Sequence, residues 1–307
     1  CADSTIKSKY FNGDMSLKAS VVGKTISMDE ILQMYVYIPR YRYKLFNANN
    51  GTSEEQSVDI IFEKVGTEKS NGTKNGEWLT HPAFTFGNTE LPGIWVSKFE
   101  ASGSTDNYQI KPNQKSMTHL NVSTMFNTSR TVTTTQTSVY GTNSSASDSH
   151  MMKNMEWGAV AYLTNSVYGR YNDTSTCIDS GCEVWINNIN TDAKDQYAPS
   201  ITGCAGSSTS ANISSSQTAC ASGYDWKTKG VNASTTGDAT REVLKDTSSQ
   251  GQKAWWSDYS DNMDSSDPWT GRGGACRDGL SAGVFTFLSG WAGGNKDASF
   301  RSVLTAY

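Results

Sequence analysis

Residues 268–307 read PWTGRGGACRDGLSAGVFTFLSGWAGGNKDASFRSVLTAY, and this stretch says more about the fold than any other part of the chain. Glycines, arginines and phenylalanines form three ordered groups in it, at 272–274, 282–285 and 299–301. The side chains between these groups, at 275–281 and 286–298, are chemically mixed. Rigid anchors separated by varied side chains are typical of a scaffold that presents a surface. The pattern therefore favours recognition over catalysis.

The composition indicates a polar, aromatic-rich globular protein. In the 307 residues the hydrophobic share is 36% and the charged share 18%, and Ser, Thr, Asn and Gly make up the difference. This suits an extracellular or virion protein rich in β-structure and long polar loops, while 11% aromatic residues argue against disorder. A net charge of −4 gives no basic footprint for nucleic acid. The sequence contains no run of about 18 apolar residues, so no membrane span is predicted.

Six cysteines lie at positions 1, 177, 182, 204, 220 and 276. Four of them form two local pairs in a Ser/Gly-rich region, and we expect Cys177–Cys182 or Cys204–Cys220 to be bridged in an oxidising compartment. Reduced, incidental thiols are the alternative, since connectivity cannot be read from sequence. Without a C-x-x-C spacing, and with three histidines in all, a structural zinc site is not expected.

Alternating apolar and polar residues predict strands over 34–46, with a break at Pro39, and over 58–65 and 91–102. In the last of these, Trp95 shares a face with Ser97 and Phe99. The Ser/Thr/Asn-rich segment 103–147 is expected to form extended loops with one short strand near 131–140. Residues 172–236 are expected to be loop-rich.

One helix is predicted over 155–167, as the longest of the protein. Met155, Ala159, Leu163 and Val167 keep the i, i+4 spacing of a stripe that packs on a sheet. Asn154 is the expected N-cap, and Gly169 follows the end. Residues 1–30 are expected to be a lead-in that has been cropped or processed, and residues 31–307 a single domain with loop insertions at 103–147 and 172–236.

Several segments resemble a known superfamily. GIWVSKFEAS at 93–102, MKNMEWGAVAYLTNSVYG at 152–169, RGG at 272–274 and FR at 300–301 come in the order found in formylglycine-generating-enzyme-like, sulfatase-modifying domains. The resemblance covers about residues 30–307. It implies an α+β, C-type-lectin-like fold with few short strands and helices and many long loops.

Within that superfamily, IPRYRYKLFN at 38–47 and HPAFTFGNTELPGIWVSKFE at 81–100 resemble proteins of gut Firmicutes and their phages. The terminal RGG, AGVF and FR block is similar to the variable region of diversity-generating-retroelement target proteins. There the RGG and FR residues stay constant while the side chains between them are diversified to bind new ligands. The resemblance implies a ligand-binding protein.

Catalysis is not expected. The formylglycine-generating enzymes use a pair of C-terminal cysteines to bind copper, whereas only Cys276 follows the RGG here. His81, His119 and His150 have no serine nucleophile elbow nearby, and surface or capping roles are the favoured interpretation. We therefore predict that the chain is not an enzyme, and that a formylglycine-generating type of oxidase is the least favoured alternative.

No cofactor is predicted, with calcium as the alternative. Asp258, Asp261, Asp264 and Asp267 could supply oxygen ligands to Ca²⁺, although the spacing is not that of an EF-hand. A solvated acidic loop, or caps on short turns, is the competing interpretation. The triplets by which calcium-dependent lectins hold sugars do not occur.

The glycine, arginine and phenylalanine anchors are interpreted as a structural frame, and the side chains between them as the binding surface. The frame consists of Arg272, Gly273, Gly274, Phe285, Phe300 and Arg301. Glu100 and Glu156 are candidate partners of the two arginines. Core positions are expected for Trp95, Trp157 and Trp269. Within the display region 255–307, the predicted ligand-binding residues are Trp256, Tyr259, Ala275, Arg277, Asp278, Leu280, Thr286, Leu288, Trp291, Asn295, Lys296 and Asp297.

We therefore expect a ligand- or receptor-recognition protein at a phage tail tip or on a bacterial surface. A protein or glycan of the host surface is the expected partner, nucleic acid is not, and a homo-oligomer is compatible with this interpretation. A structural, pilin-like or fibre subunit is the alternative, which an exposed apolar lateral patch would favour.

Overall fold

The computed structural model describes residues 4–14, 16–45, 54–86, 88–170, 200–202, 236–245, 251–252, 254–261, 269–274, 278, 281–290 and 298–306. Helices and small sheets occur together in these ranges, so the class is α+β, as predicted. Within the same ranges no helix is both long and apolar enough to cross a membrane.

The described helices are α1 (Ser4–Tyr10), α2 (Val122–Thr131), α3 (Thr137–Tyr140) and α4 (Asn154–Thr164). The described strands are β1 (Tyr35–Pro39), β2 (Tyr41–Lys44), β3 (Ile60–Phe62), β4 (Trp78–Thr80), β5 (Thr85–Phe86), β6 (Thr89–Glu90), β7 (Gly93–Ser97), β8 (Ser102–Ser104), β9 (Asn107–Gln109), β10 (Ser147–Met151), β11 (Ser200–Thr202), β12 (Gly251–Gln252), β13 (Tyr259–Ser260), β14 (Trp269–Arg272), β15 (Phe287–Gly290), β16 (Ser299–Phe300) and β17 (Ser302–Ala306).

Two sheets organise the chain. The first has the order β1-β7-β17-β10 with antiparallel neighbours, so β17 lies between β7 and β10. Helix α2 packs on β10. The second has the order β12-β13-β15-β14-β11-β16 and contains Arg272 and Phe300 of the predicted frame. Strands β3, β2 and β4 form a smaller sheet, while β5–β6 and β8–β9 are hairpins.

Large aromatic side chains fill two hydrophobic cores. Phe285 and Trp157 belong to the first, and Phe300 and Trp269 to the second. All four are buried, which confirms the core positions predicted for Trp157 and Trp269. Trp95 was also expected in a core, but 42% of its surface is exposed. That prediction is wrong because Trp95 points to the opposite face of β7 from the buried Val96, where its ring centre lies 4.8 Å from that of Tyr37.

Helix α4 is the longest helix of the described ranges, as predicted, but its boundaries and buried face differ. The N-cap is Lys153 rather than Asn154, and the helix ends at Thr164, so Val167 lies beyond it and is 61% exposed. Ala159 is buried, whereas Met155 and Leu163 are only partly buried. The main buried residues are Asn154, Glu156, Trp157, Gly158, Ala159, Ala161 and Tyr162.

The segment 103–147 is not the loop that its composition suggests. Helices α2 and α3 cover much of it, including the region near 131–140 where a strand was expected. Asn121 caps α2 by accepting the Thr124 amide at 2.8 Å, and Met125 and Phe126 are buried on the inner face. The predicted strand over 58–65 is limited to β3. Near the start of the chain, α1 packs against α3.

Candidate functional site

Arg272 holds the RGG turn from inside the protein. It is fully buried, and its guanidinium carbon lies 5.7 Å from the ring centre of Trp157 and 5.8 Å from that of Phe287. Its Nη2 donates to the carbonyl of Ala239 at 3.0 Å. The candidate partner Glu156 instead binds His150, with 2.9 Å between Oε1 and Nε2. Arg272 is therefore structural, as predicted, but Glu156 is not its partner.

The two glycines that follow Arg272 have backbone conformations that favour glycine. Gly273 has a φ of +82° and Gly274 a φ of +62°, which side-chain-bearing residues rarely adopt. A Cβ on Gly274 would also lie 2.8 Å from the Cα of Ala282. At the RGG turn, the backbone that follows β14 therefore packs directly against the backbone of the AGVF segment, with no room for a side chain between them.

Asp258 clamps the AGVF segment. Its Oδ1 accepts the amide of Gly283 at 2.8 Å and its Oδ2 accepts the amide of Phe285 at 2.9 Å, in a fully buried position. A Cβ on Gly283 would lie 2.3 Å from Oδ1, so this position needs glycine. The indole of Trp157 completes the clamp by donating to the Val284 carbonyl at 2.8 Å.

Asp258 is also the first residue of the calcium hypothesis, which stays a prediction. Both carboxylate oxygens of Asp258 are hydrogen-bonded to backbone amides, and the residue is buried. Asp261 is partly exposed, while Asp264 and Asp267 lie outside the described residues. Nowhere in the described ranges do three or more His, Cys, Asp or Glu side chains form a group that could hold a metal.

Phe300 and Arg301 anchor the last part of the frame. The Phe300 ring stacks on Tyr108 at 5.7 Å between centres. Arg301 donates from Nη1 to the carbonyls of Ser97 and Lys98 at 3.2 and 3.0 Å. Burial lowers the pKa of Arg301, and the negative charge of Glu100 opposes that shift. The proposed pairing of an arginine with Glu100 is therefore supported electrostatically.

Between these anchors, Asp278 is exposed. It follows the buried Gly274 by four positions and precedes the buried Ser281 by three. Burial raises the pKa of Tyr259, and the charges of Asp261 and Asp278 raise it further, so the three side chains are near one another. Tyr259 and Asp278 are thus predicted ligand-binding residues that the structure brings together.

Other predicted residues lie elsewhere. Thr286 is 1% exposed. Its hydroxyl donates to the Ser281 carbonyl and so closes the turn before β15. Its assignment to a binding surface is wrong. Trp256 packs against the first core and donates its indole N–H to Asn165 Oδ1 at 3.2 Å, at the end of α4. Leu288 is partly buried and covers Gly271.

The remaining predicted ligand-binding residues, Ala275, Arg277, Leu280, Trp291, Asn295, Lys296 and Asp297, lie outside the described residues, as do all six cysteines. In the β14–β15 pair, Arg272 lies opposite Phe287 and Trp269 lies opposite Gly290.

Two buried polar networks were missed at the sequence level. His150 was interpreted as a surface or capping residue, yet it is buried between Asp148 and Glu156, at 2.6 and 2.9 Å. Glu242 is fully buried and accepts hydrogen bonds from Tyr43 at 3.0 Å and from Tyr162. Each network joins side chains from different elements, so no local spacing reveals it.

The other two histidines behave as predicted. The Nδ1 atom of His81 accepts the Ala83 amide at 3.2 Å and caps a short helical turn, and burial lowers the pKa of His81 to about 3. His119 is exposed. Of the predicted ligand-binding residues that the structure describes, Asp278 is exposed and Tyr259 is partly exposed. Comparison of the sequence with protein-family models and with curated proteins finds no match.

Proposed function

We propose that this chain is a ligand-recognition protein that presents a C-terminal binding surface on a C-type-lectin-like scaffold. The observation that carries the proposal is the contrast between Asp278, which is exposed, and the anchors on both sides of it. Arg272, Gly274 and Phe285 are buried and held by other elements. A surface built in this way can change its side chains at little cost to the core, since exposed substitutions usually alter stability by about ±0.5 kcal/mol.

The chemistry near Asp278 suits a protein or glycan of a host surface. Tyr259 offers a ring with a hydroxyl, and Asp261 and Asp278 offer carboxylates. The adjacent sequence adds Arg277, and Trp291 follows β15. Aromatic and arginine side chains bury much area with few rotatable bonds, which is why they dominate binding hot spots. A phage tail tip or a bacterial surface is the location that fits such a role.

The test is a triple replacement, Arg277→Ala, Asp278→Ala and Trp291→Ala, with Phe285→Ala as the matched frame variant. Labelled protein is incubated with intact cells of a panel of gut bacteria, and bound fluorescence is measured by flow cytometry. We expect the triple variant to lose binding to any strain that the wild type labels and to keep its melting temperature. Phe285→Ala should lose about 3–5 kcal/mol of stability, as large-to-small core changes do.

Two outcomes would contradict the proposal. A triple variant that melts normally and labels the same cells would place the binding surface elsewhere. A triple variant that unfolds would assign these side chains to the core. Leu288 is left unchanged because it is partly buried over Gly271. Its replacement could lower stability as well as binding, and the two effects could not be separated.

A structural, fibre-type subunit is a second candidate, and one observation favours it. Tyr37 and Trp95 are 39% and 42% exposed on adjacent strands, with ring centres 4.8 Å apart, and β1 is the edge strand of the first sheet. Exposed apolar edges are prone to pair with another copy. Sedimentation velocity of the wild type and of Trp95→Lys tests this. The fibre role would be supported if the wild type assembles in a concentration-dependent way and Trp95→Lys does not.

A further inference from the structure

A cavity of about 440 Å³ lies between α4 and the β1–β7 edge of the first sheet. Its volume is within the range of about 300–1,000 Å³ that is typical of small-molecule sites. Most of its wall is apolar. The aromatic lining residues are Phe99 and Trp157, and the aliphatic ones are Val36, Ile38, Val96, Met152, Val160 and Val284. None of the predicted ligand-binding residues that the structure describes lines it, so it is distinct from the proposed recognition surface.

The charged lining of this cavity is mainly positive. Lys98, Lys111 and Arg301 contribute three cations and Glu100 one carboxylate, which gives a formal local charge of +2 in a chain of net charge −4. Glu100 is buried, accepts the Ser116 hydroxyl at 3.0 Å, and acts electrostatically on Arg301. The positive charge in excess therefore belongs to Lys98 and Lys111, which are exposed and partly exposed.

The cavity thus combines an apolar wall with a cationic side. A ligand that fits both has an alkyl chain and one negative charge. Each CH₂ group that the chain buries would strengthen binding about fourfold, and a carboxylate would form charge-assisted hydrogen bonds with the lysines. Asn113 and Gln114, which also line the cavity, add amide groups that can bind a carboxylate oxygen.

We propose that this cavity binds a medium-chain fatty acid in its ionised form, with the alkyl chain along Val36, Val96 and Val160 and the carboxylate at Lys98 and Lys111. The site goes beyond the proposed recognition function, because it uses a different part of the molecule. A bound fatty acid would add apolar contacts between the edge of the first sheet and α4.

Isothermal titration calorimetry with sodium decanoate, below its micellar concentration, tests the site. We expect saturable 1:1 binding, and decyltrimethylammonium, which has the same chain with a positive head group, should bind at least about tenfold more weakly. Lys111→Glu should weaken decanoate binding at least about tenfold by reversing a charge at the head-group end. Val36→Trp should weaken it similarly by filling the cavity from an exposed position of β1.

Matched controls separate these effects from general ones. Val139 is 44% exposed, like Val36, but does not line the cavity, so Val139→Trp should keep wild-type affinity. Lys24→Glu is the corresponding control for charge. Melting curves identify any variant that fails to fold, and Lys111→Glu, a change at a partly exposed position, still tests the site if Val36→Trp does not fold.

Several results would overturn the proposal. These are no saturable decanoate binding, equal affinity for the carboxylate and the ammonium compound, or unchanged affinity in both Lys111→Glu and a folded Val36→Trp. Binding only to phosphatidylglycerol vesicles, without binding of monomeric decanoate, would also overturn it, because that result indicates a membrane surface rather than a cavity.

Discussion

Asp258→Asn is the most direct test of how the frame is built. Asp258 is buried, and each of its carboxylate oxygens accepts one backbone amide, from Gly283 at 2.8 Å and from Phe285 at 2.9 Å. Asparagine has the same shape but only one oxygen. One amide keeps an acceptor, and the other faces the side-chain NH₂ group, so two donors oppose each other in a buried place.

The size of the effect follows from these contacts. A hydrogen bond to a charged group contributes about 1.5–3 kcal/mol, and a buried donor left without an acceptor costs about 1–3 kcal/mol. The neutral amide is easier to bury than the carboxylate, which offsets part of the loss. We therefore expect Asp258→Asn to lower the free energy of unfolding by about 2–3 kcal/mol. At about 2 °C per kcal/mol for a chain of this size, the melting temperature should fall by about 4–6 °C.

Urea unfolding followed by tryptophan fluorescence is a suitable assay, because Trp255 contacts Phe285 edge-on at 5.4 Å beside the clamp. The control is Asp278→Asn, an exposed carboxylate of the same region, which should change stability by no more than about 0.5 kcal/mol. Equal losses in the two variants would refute the clamp. So would calcium chloride raising the unfolding midpoint of the wild type but not of Asp258→Asn, since Asp258 would then be a metal ligand.

Two further predictions concern α4. Burial lowers the pKa of His150, but the carboxylates of Glu156 and Asp148 raise it above its usual value, so its contribution to stability is present at low pH and lost as the pH rises through the raised pKa. Burial raises the pKa of Glu156, yet the charge and hydrogen bonds of His150 and its neighbours bring it down to about 2, so its contribution is lost as the pH falls from about 4.5 towards 2. The urea midpoints of the wild type and of His150→Gln should therefore differ most at about pH 5–6. If this difference stays constant up to about pH 9, the pairing of His150 with Glu156 and Asp148 is contradicted. Gly158→Ala should destabilise the protein by about 1–3 kcal/mol, against the helix preference for alanine, because the added Cβ would lie 1.9 Å from the Gly237 carbonyl oxygen; a higher melting temperature would refute the close contact.

The frame could be predicted because its residue types have few other uses. Consecutive glycines beside an arginine indicate a tight turn, and the φ values of +82° and +62° at Gly273 and Gly274 agree. Phe285 and Phe300, which the sequence assigned to the frame, are fully buried. Asp258 was not foreseen as the partner of Gly283 and Phe285, because it precedes them by 25 and 27 positions and nothing local links it to them.

Helix α2 could not be predicted because its sequence, VSTMFNTSRT, is poor in strong helix formers. The helix is stabilised by tertiary burial of Met125 and Phe126 and by the Asn121 cap. Side-chain hydroxyls also donate to carbonyls of the helix; for example, the Ser129 hydroxyl donates to the Met125 carbonyl oxygen at 2.9 Å. Trp95 shows a related limit, since alternation assigns it to one face of β7 but does not say which face is covered.

The place of β17 in the first sheet has a consequence for biosynthesis. This strand lies at the end of the display region, yet it pairs between β7 and β10, and its partner Val96 precedes Val303 by roughly 200 residues. The first sheet therefore cannot close until the ribosome has translated residues 302–306. A frameshift or stop codon in the display region removes a central strand, and the product cannot complete its fold. Only chains whose display region has been read through in frame become folded protein.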